Sequence, residues 1–146
     1  MLVALPLLAQ KEEDFAARYM ALYAEGTSLQ CATVSPSMLE RMMQLPSVEE
    51  DEAAGKVLAQ LKSIRMITHS HEDEAASLYR NAIELATHHA ARFKLYAHEG
   101  QKQIYVRRKG RYIVEVVLFM LSEGRFCLID LTGNMTEGFL GQVLKI

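Results

Sequence analysis

This 146-residue sequence predicts an α+β fold, because its hydrophobic period changes from helical to strand-like along the chain. Helical spacing governs residues 11–26 and 70–92. From Phe93 onward the period is two, and glycine turns separate successive strands. We expect a single domain of the α+β class, with a mixed, mostly antiparallel sheet of about six strands and helices packed mainly on one face.

Composition and charge fit an ordinary globular domain. Hydrophobic residues make up 50% of the chain and charged residues 23%, which excludes the disordered and collagen-like classes. The formal net charge of −2 provides no general attraction for nucleic acid. Cys31 and Cys127 are too few for a zinc ribbon or a disulfide scaffold. They either pair across neighbouring strands or, as we expect, remain two buried thiols.

The N-terminal residues 1–9, MLVALPLLA, form an apolar run that is too short to cross a bilayer, and we predict no transmembrane segment. A charged stretch follows the run, as it does at the end of a secretory signal. We interpret residues 1–9 as the remnant of such a signal, residues 11–146 as the single domain, and the protein as periplasmic or otherwise exported. The alternative is an apolar segment that packs on the domain.

Two helices can be predicted before the second strand. In the first, residues 11–26, Phe15 and Tyr19 share one face. Ser35 and Pro36 are a typical N-cap and first helical residue, and they begin a methionine-rich helix.

The methionine-rich helix has one apolar stripe, which we expect to pack on the sheet. The stripe consists of Met38, Leu39, Met42 and Leu45, and Met43 falls outside it. The alternative is an adaptable binding surface, because methionine is flexible and polarizable. Residues 47–56 are acidic and lack an apolar period, so we predict a mobile loop or a loosely formed turn there.

The strand patterns cover residues 28–34, 63–69, 93–99, 102–108, 111–121 and 125–131. Turns at Gly100, Gly110 and Gly124 should join the last four strands into an antiparallel meander. Strand 111–121 is apolar on both alternations, which is typical of a central strand.

Glu115 is the most informative single residue, because it interrupts the apolar strand 111–121. An unpaired buried carboxylate is costly, so we expect a partner, either Arg107 or Arg65, unless the position faces solvent. An acid role would need a second catalytic group, which the sequence does not identify. We therefore treat Glu115, Arg107 and Tyr105 as candidate binding residues.

His69 and His71 are candidate metal ligands. Residues two apart in an extended segment point the same way, and the acids at 72–74 lie close by, so zinc or copper could bind if the rings converge. The same acids also suit an exposed helix N-terminus, where they complement the dipole. No third fixed ligand is identifiable, and we predict no cofactor.

Residues 107–111 form a basic hairpin turn flanked by Tyr105 and Tyr112. Basic residues beside aromatic ones are used to bind nucleic acids. A solvated hairpin turn has the same pattern and needs no ligand, and its charges discourage edge pairing. We expect the second reading and no nucleic-acid partner.

Four stretches of the chain carry a family resemblance: VSPSML at 34–39, IRMIT at 64–68, QIYVRRKGRYIVEVVL at 103–118 and LIDLTGNMTEGFLGQVL at 128–144. Together with Phe15 and Tyr19 in the first helix, they resemble the family of exported Bacteroidetes proteins called domain of unknown function 4252. The resemblance implies a fold and an envelope location, and it implies no activity. Many members look like lipoproteins, whereas in this chain the residue directly after the apolar run is Gln10 and not a cysteine.

The functional expectation follows from the resemblance and from the lack of a catalytic motif. We expect a non-catalytic protein-binding module of the envelope, whose partner is another envelope protein or a second copy of the chain. One alternative is a metal-binding protein or enzyme centred on His69 and His71. The other is a nucleic-acid binder that uses the basic hairpin 107–111.

Overall fold

The fold is described by a computed structural model, which covers residues 14–90 and 92–143. Our interpretation of residues 1–9, and the start of the domain at residue 11, lie outside the described residues. The helices are α1 Phe15–Tyr23, α2 Pro36–Met43, α3 Pro46–Glu49, α4 Glu52–Ala59, α5 Ala75–His88 and α6 Glu137–Val143, with a 3-10 turn at Glu72–Glu74. No helix in these ranges is both long and apolar enough to span a membrane.

The six strands form one open sheet in the order β1-β2-β6-β5-β4-β3. Their bounds are β1 Gln30–Val34, β2 Leu61–Thr68, β3 Phe93–Glu99, β4 Lys102–Lys109, β5 Tyr112–Ser122 and β6 Arg125–Met135. The predicted α+β class and six-stranded sheet are confirmed. Every pair of neighbouring strands is antiparallel, so the sheet has no mixed part. The strands β2 and β3, which α5 joins, are not neighbours, and β1 and β2, which α2–α4 join, pair antiparallel.

The predicted meander is confirmed by the turns that join its strands. Gly100, Gly110 and Gly124 all have positive φ, which glycine adopts without steric cost. Glu123 precedes Gly124 and also has positive φ, as the central pair of a type I′ hairpin turn requires. These short turns place β5 in the interior of the sheet, as its apolar pattern indicates.

The larger core lies between one face of the sheet and the two longest helices, α1 and α5. Phe15 and Tyr19 of α1 are buried there with Leu78 of α5 and Phe119 of β5. The Tyr19 hydroxyl donates a 2.7 Å hydrogen bond to the Leu78 carbonyl, which joins the two helices through a buried polar contact. Burial raises the pKa of Tyr19, so the hydroxyl keeps its proton and remains a donor.

A second apolar cluster covers the other face of the sheet. Val116 and Leu118 of β5 lie there against Phe139 and Leu140 of α6. Val57 of α4 packs at its border. Apolar side chains from helices therefore pack on both faces of the sheet, although the two longest helices, α1 and α5, lie on the same face.

The segment 47–56 was wrongly predicted to be a loop. Asp51 is the N-cap of α4, and its carboxylate accepts hydrogen bonds from the amides of Ala53 and Ala54 at 3.1 and 3.2 Å. Pro46 is the first residue of α3. An N-cap acid followed by alanines starts a helix even though the segment has little apolar period of its own.

The two cysteines are free and cannot pair within the chain. Cys31 lies opposite Ile67, whose side chain is in the α1 and α5 core, so Cys31 points to that side of the sheet. Cys127 follows the core residue Phe126 in β6 and therefore points to the other side. Cys31 is exposed and Cys127 is half-buried, so the expectation of two buried thiols was wrong.

Candidate functional site

Two buried carboxyl groups from neighbouring strands meet the first turn of α1. Glu115 lies on β5 and Asp130 on β6, and both side chains are almost completely buried. Glu115 Oε2 accepts a 2.7 Å hydrogen bond from the amide of Phe15, and Asp130 Oδ2 accepts a 2.8 Å bond from the amide of Ala16. These amides have no partner within the helix, so the sheet supplies the acceptors. We call Glu115 and Asp130 the carboxyl pair.

Arg107 is the cationic partner of Glu115. Its Nη2 and Nε donate to Glu115 Oε1 at 2.8 and 3.1 Å. The guanidinium also lies 5.8 Å from the centre of the Phe93 ring. Arg107 and Arg65 were the two predicted partners of Glu115, and Arg107 is the one that forms the ion pair.

Arg65 approaches the same helix end from β2 but contacts a different acid. Its Nε lies 3.3 Å from Asp14 Oδ2. Asp14 is the N-cap of α1, and its Oδ1 accepts a 2.8 Å bond from the amide of Ala17. Three acids therefore accept hydrogen bonds from the first turn of α1, namely the N-cap Asp14 and the carboxyl pair. Two arginines, Arg65 of β2 and Arg107 of β4, form ion pairs with two of these acids.

The pKa of Asp130 is raised well above its ordinary value. Burial is the largest cause, and the neighbouring charge of Glu115 is the next. Asp130 Oδ1 has no hydrogen-bond partner among the described residues when Asp130 and Glu115 are both ionised. A proton on Asp130 removes this conflict, because the carboxyl group can then donate to Glu115.

An open pocket of about 540 Å³ lies beside Arg107, and its charged lining consists of Asp14, Lys62, Arg107 and Lys109. Glu115 and Asp130 are not among the described residues that line this pocket. A ligand held there would meet the basic side chains and not the carboxyl pair. The hydrogen bonds of the pair to the amides of Phe15 and Ala16 anchor the first turn of α1.

Asp130 is a site residue that the sequence prediction missed. Like Glu115, it is an acid within an apolar strand, and this signal was available in the sequence. Tyr105, by contrast, is a core residue. It is buried, its ring centre lies 5.4 Å from that of Phe119, and its hydroxyl donates to Gln103 Oε1 at 2.7 Å.

His69 links two parts of the backbone through both ring nitrogens. Its Nε2 accepts a 2.8 Å hydrogen bond from the amide of Phe126, so its Nδ1 carries the proton that is shared with the His71 carbonyl at 2.9 Å. His71 contributes only this carbonyl to the contact, and its side chain is exposed. No group of three metal-ligating side chains is found in the described part of the chain. The metal hypothesis therefore remains a prediction without a third ligand.

Two basic residues of the hairpin 107–111 form ion pairs within the protein. Arg107 binds Glu115, and Arg108 Nη2 lies 2.6 Å from Glu137 Oε1 on α6. Lys109 and Arg111 are exposed. These contacts explain two of the basic residues structurally and leave nucleic-acid binding untested.

The predicted burial of the methionine stripe is wrong for two of its four members, Met38 and Leu45, and Met42 is half-buried. Only Leu39 is buried, whereas Met38 is 45% exposed and Leu45 is 50% exposed. Met66, which is 42% exposed, lies on β2, the strand on which α2 packs. Met38, Leu45 and Met66 are together called the methionine surface.

Residues 23–143 match the family described as a domain of unknown function, DUF4252. The chain belongs to this family. A search of curated proteins gives no match. The DUF4252 match begins after Phe15 and Tyr19, and it includes the carboxyl pair, Arg107 and the Thr132–Gly133 step within the stretch 128–144.

The Thr132–Gly133 step of this DUF4252 chain has a structural cause. Thr132 forms a hydrogen bond through its hydroxyl with that of Ser63 on β2. A Cβ placed on Gly133 would lie 2.0 Å from the carbonyl oxygen of Gln60. The step fits β6 against the start of β2, where only glycine leaves room for the backbone.

Proposed function

We propose that this DUF4252 protein is a non-catalytic module of the cell envelope that binds another protein through the methionine surface. The observation that carries the proposal is the exposure of Met38, Leu45 and Met66 on and beside α2. Exposed apolar side chains that lie on neighbouring elements can mark a protein interaction site. Methionine is suited to such a contact because its unbranched thioether adapts to the shape of a partner.

The arrangement of the acidic groups supports a binding role over a catalytic one. Glu115 and Asp130 have the types of side chain that perform acid–base chemistry, but both are buried and bonded to backbone amides. A catalytic acid must reach the substrate proton that it transfers. Here the acids bind α1, so the exposed apolar side chains are the better candidates for function.

The envelope location is part of the same proposal. It is supported by the apolar residues 1–9 and by the resemblance to exported proteins. The test is to express the full-length protein in its own host, fractionate the cells and sequence the N-terminus of the recovered chain. We expect a periplasmic chain that begins at Gln10. A cytoplasmic chain that keeps its first residues would overturn the location.

The binding proposal is tested by cross-linking in the native host, followed by mass spectrometry of the purified protein. Met38→Gln and Met66→Gln keep side-chain length and remove apolar character. Leu22→Gln, at an exposed position on α1, is the matched control. We expect one protein partner to be lost in both methionine variants and kept in the control. If the same partner is recovered with all three variants, the methionine surface is not its binding site.

A further inference from the structure

The two edges of the sheet differ in how well they are protected against another strand. The β3 edge carries exposed charged or titratable residues at Lys94, His98 and Glu99. Its pairing with β4 is also interrupted by an irregularity between Leu95 and Ala97. Charges and bulges at an edge discourage pairing with a second chain. The β3 edge is therefore protected against pairing with a strand of another chain.

The β1 edge has none of these features. Its sequence, QCATV, contains no charge and no proline, and its first four residues are exposed. Pairing with β2 is continuous from Gln30 to Val34. In the described part of the chain no strand pairs with its outer side. Unpaired outer amides and carbonyls on a regular strand are a template for another strand.

We propose that β1 pairs antiparallel with β1 of a second copy about a two-fold axis, which joins two six-stranded sheets into one. The pairing with greatest overlap is centred on Ala32. It places Cys31 opposite Thr33 of the partner subunit. The proposal concerns the assembly of this chain with itself and goes beyond the envelope partner proposed above, although Met66 of the methionine surface lies beside the same edge.

A second copy is the favoured occupant because a two-fold contact uses the same surface twice. The strand must then be compatible with itself, and an uncharged strand places no like charges opposite each other. Ala32 at the centre is small and allows close approach. The net charge of −2 gives little repulsion between copies.

Apolar side chains beside β1 can extend the contact. A stable interface buries about 1,200 Å² or more in total, which is more than a five-residue strand pair provides. Met66 lies directly opposite Ala32 on the inner side of β1 and is exposed. Pairing of the two β1 strands brings the exposed apolar residues of both copies to one side of the joined sheet.

The experiment is sedimentation velocity of the purified full chain over a range of concentrations. We expect a dimer that dissociates on dilution. Ala32→Lys, which places two lysines next to the axis, should weaken the dimer by about tenfold or more. Leu95→Lys makes a comparable change at the β3 edge and should leave dimerisation unchanged. Circular dichroism confirms that both variants are folded.

Cross-linking tests the register independently. In a Cys127→Ser background, Thr33→Cys should form a covalent dimer on mild oxidation, because paired antiparallel residues lie within disulfide range. Cys127→Ser alone is the control and should not cross-link efficiently. A monomer at every concentration, or a dimer that Ala32→Lys leaves intact, would overturn the proposal. A monomer that still binds an envelope protein would leave the proposed function standing.

Discussion

The carboxylate of Glu115 accepts a 2.7 Å hydrogen bond from the amide of Phe15, a residue 100 positions earlier in the chain. The contact joins a central strand to the first turn of α1. Helix-end amides are usually satisfied by a side chain a few residues away, as Asp14 does here for Ala17. The sheet supplies the other acceptors, so the position of α1 depends on the acids of β5 and β6.

Removal of the Glu115 carboxylate should destabilise the protein strongly. Glu115→Ala leaves the Arg107 guanidinium and the Phe15 amide without their acceptor in a buried site, and we expect the free energy of unfolding to fall by about 3–5 kcal/mol. Urea unfolding followed by circular dichroism measures the change. Glu137→Ala is the matched control, because it breaks the exposed ion pair with Arg108 and should cost less than about 1 kcal/mol. Equal effects of the two substitutions would contradict the anchoring role.

The raised pKa of Asp130 predicts a pH dependence of stability. Between the ordinary pKa of an unfolded aspartate and the higher folded value, the folded protein holds a proton that the unfolded chain has released. The contribution of Asp130 to the free energy of unfolding is therefore greatest at low pH. It decreases as pH rises from the unfolded pKa through the higher folded pKa. Asp130→Asn keeps an acceptor for the Ala16 amide and cannot ionise.

We therefore expect Asp130→Asn to be more stable than the native protein at pH 7 and to lose most of this pH dependence near and above pH 4. Urea unfolding at a series of pH values measures both effects. Asp130→Leu tests whether a polar group is needed at all, and it should be less stable than Asp130→Asn because the Ala16 amide loses its acceptor. A lower stability of Asp130→Asn at pH 7 would contradict the raised pKa of Asp130.

Much of the fold follows from local patterns, whereas the site depends on register. The sheet class and the turns at Gly100, Gly110 and Gly124 could be predicted, because turn residues and alternation act over a few residues. The pairing of Glu115 with Arg107 could be predicted only as one of two options. A register shift between Arg107 and Arg108 places Glu115, and not Val114, opposite Arg107. Nothing in the local pattern specifies such a bulge.

The methionine stripe illustrates a different limit. Helical spacing groups Met38, Leu39, Met42 and Leu45 on one face, but α2 ends at Met43, so Leu45 lies beyond this helix. Leu39 is buried as predicted. Spacing indicates which residues share a face, but whether a sheet covers that face depends on the length and position of the neighbouring elements. Met38 and Leu45 therefore remain exposed although they fit the same pattern.

His69 and His71 should differ sharply in their contributions to stability. His69→Ala removes the acceptor of the buried Phe126 amide, so the free energy of unfolding should fall by about 1–3 kcal/mol. His71→Ala leaves its backbone carbonyl in place and should change stability by less than about 0.5 kcal/mol. Urea unfolding checks both values. Calorimetric titration of the native protein with zinc tests the metal hypothesis separately. The hypothesis would gain support if the native protein bound zinc and His71→Ala abolished that binding.

Gly133 and Gly141 should respond in opposite directions to the same substitution. A Cβ on Gly133 would lie 2.0 Å from the Gln60 carbonyl oxygen, which also accepts a 2.9 Å hydrogen bond from the Asn134 amide. Gly133→Ala must push apart the backbones of β6 and the start of β2, so we expect a loss of about 3 kcal/mol or more.

Gly141 lies in α6 and has no atom near the position of an added Cβ. Gly141→Ala should therefore raise the free energy of unfolding by up to about 1 kcal/mol, because alanine loses less backbone entropy in a helix. Thermal and urea unfolding of both variants provide the comparison. If Gly133→Ala were as stable as Gly141→Ala, the close approach of β6 to Gln60 would be wrong, and the Thr-Gly step would need an explanation outside the packing of the sheet.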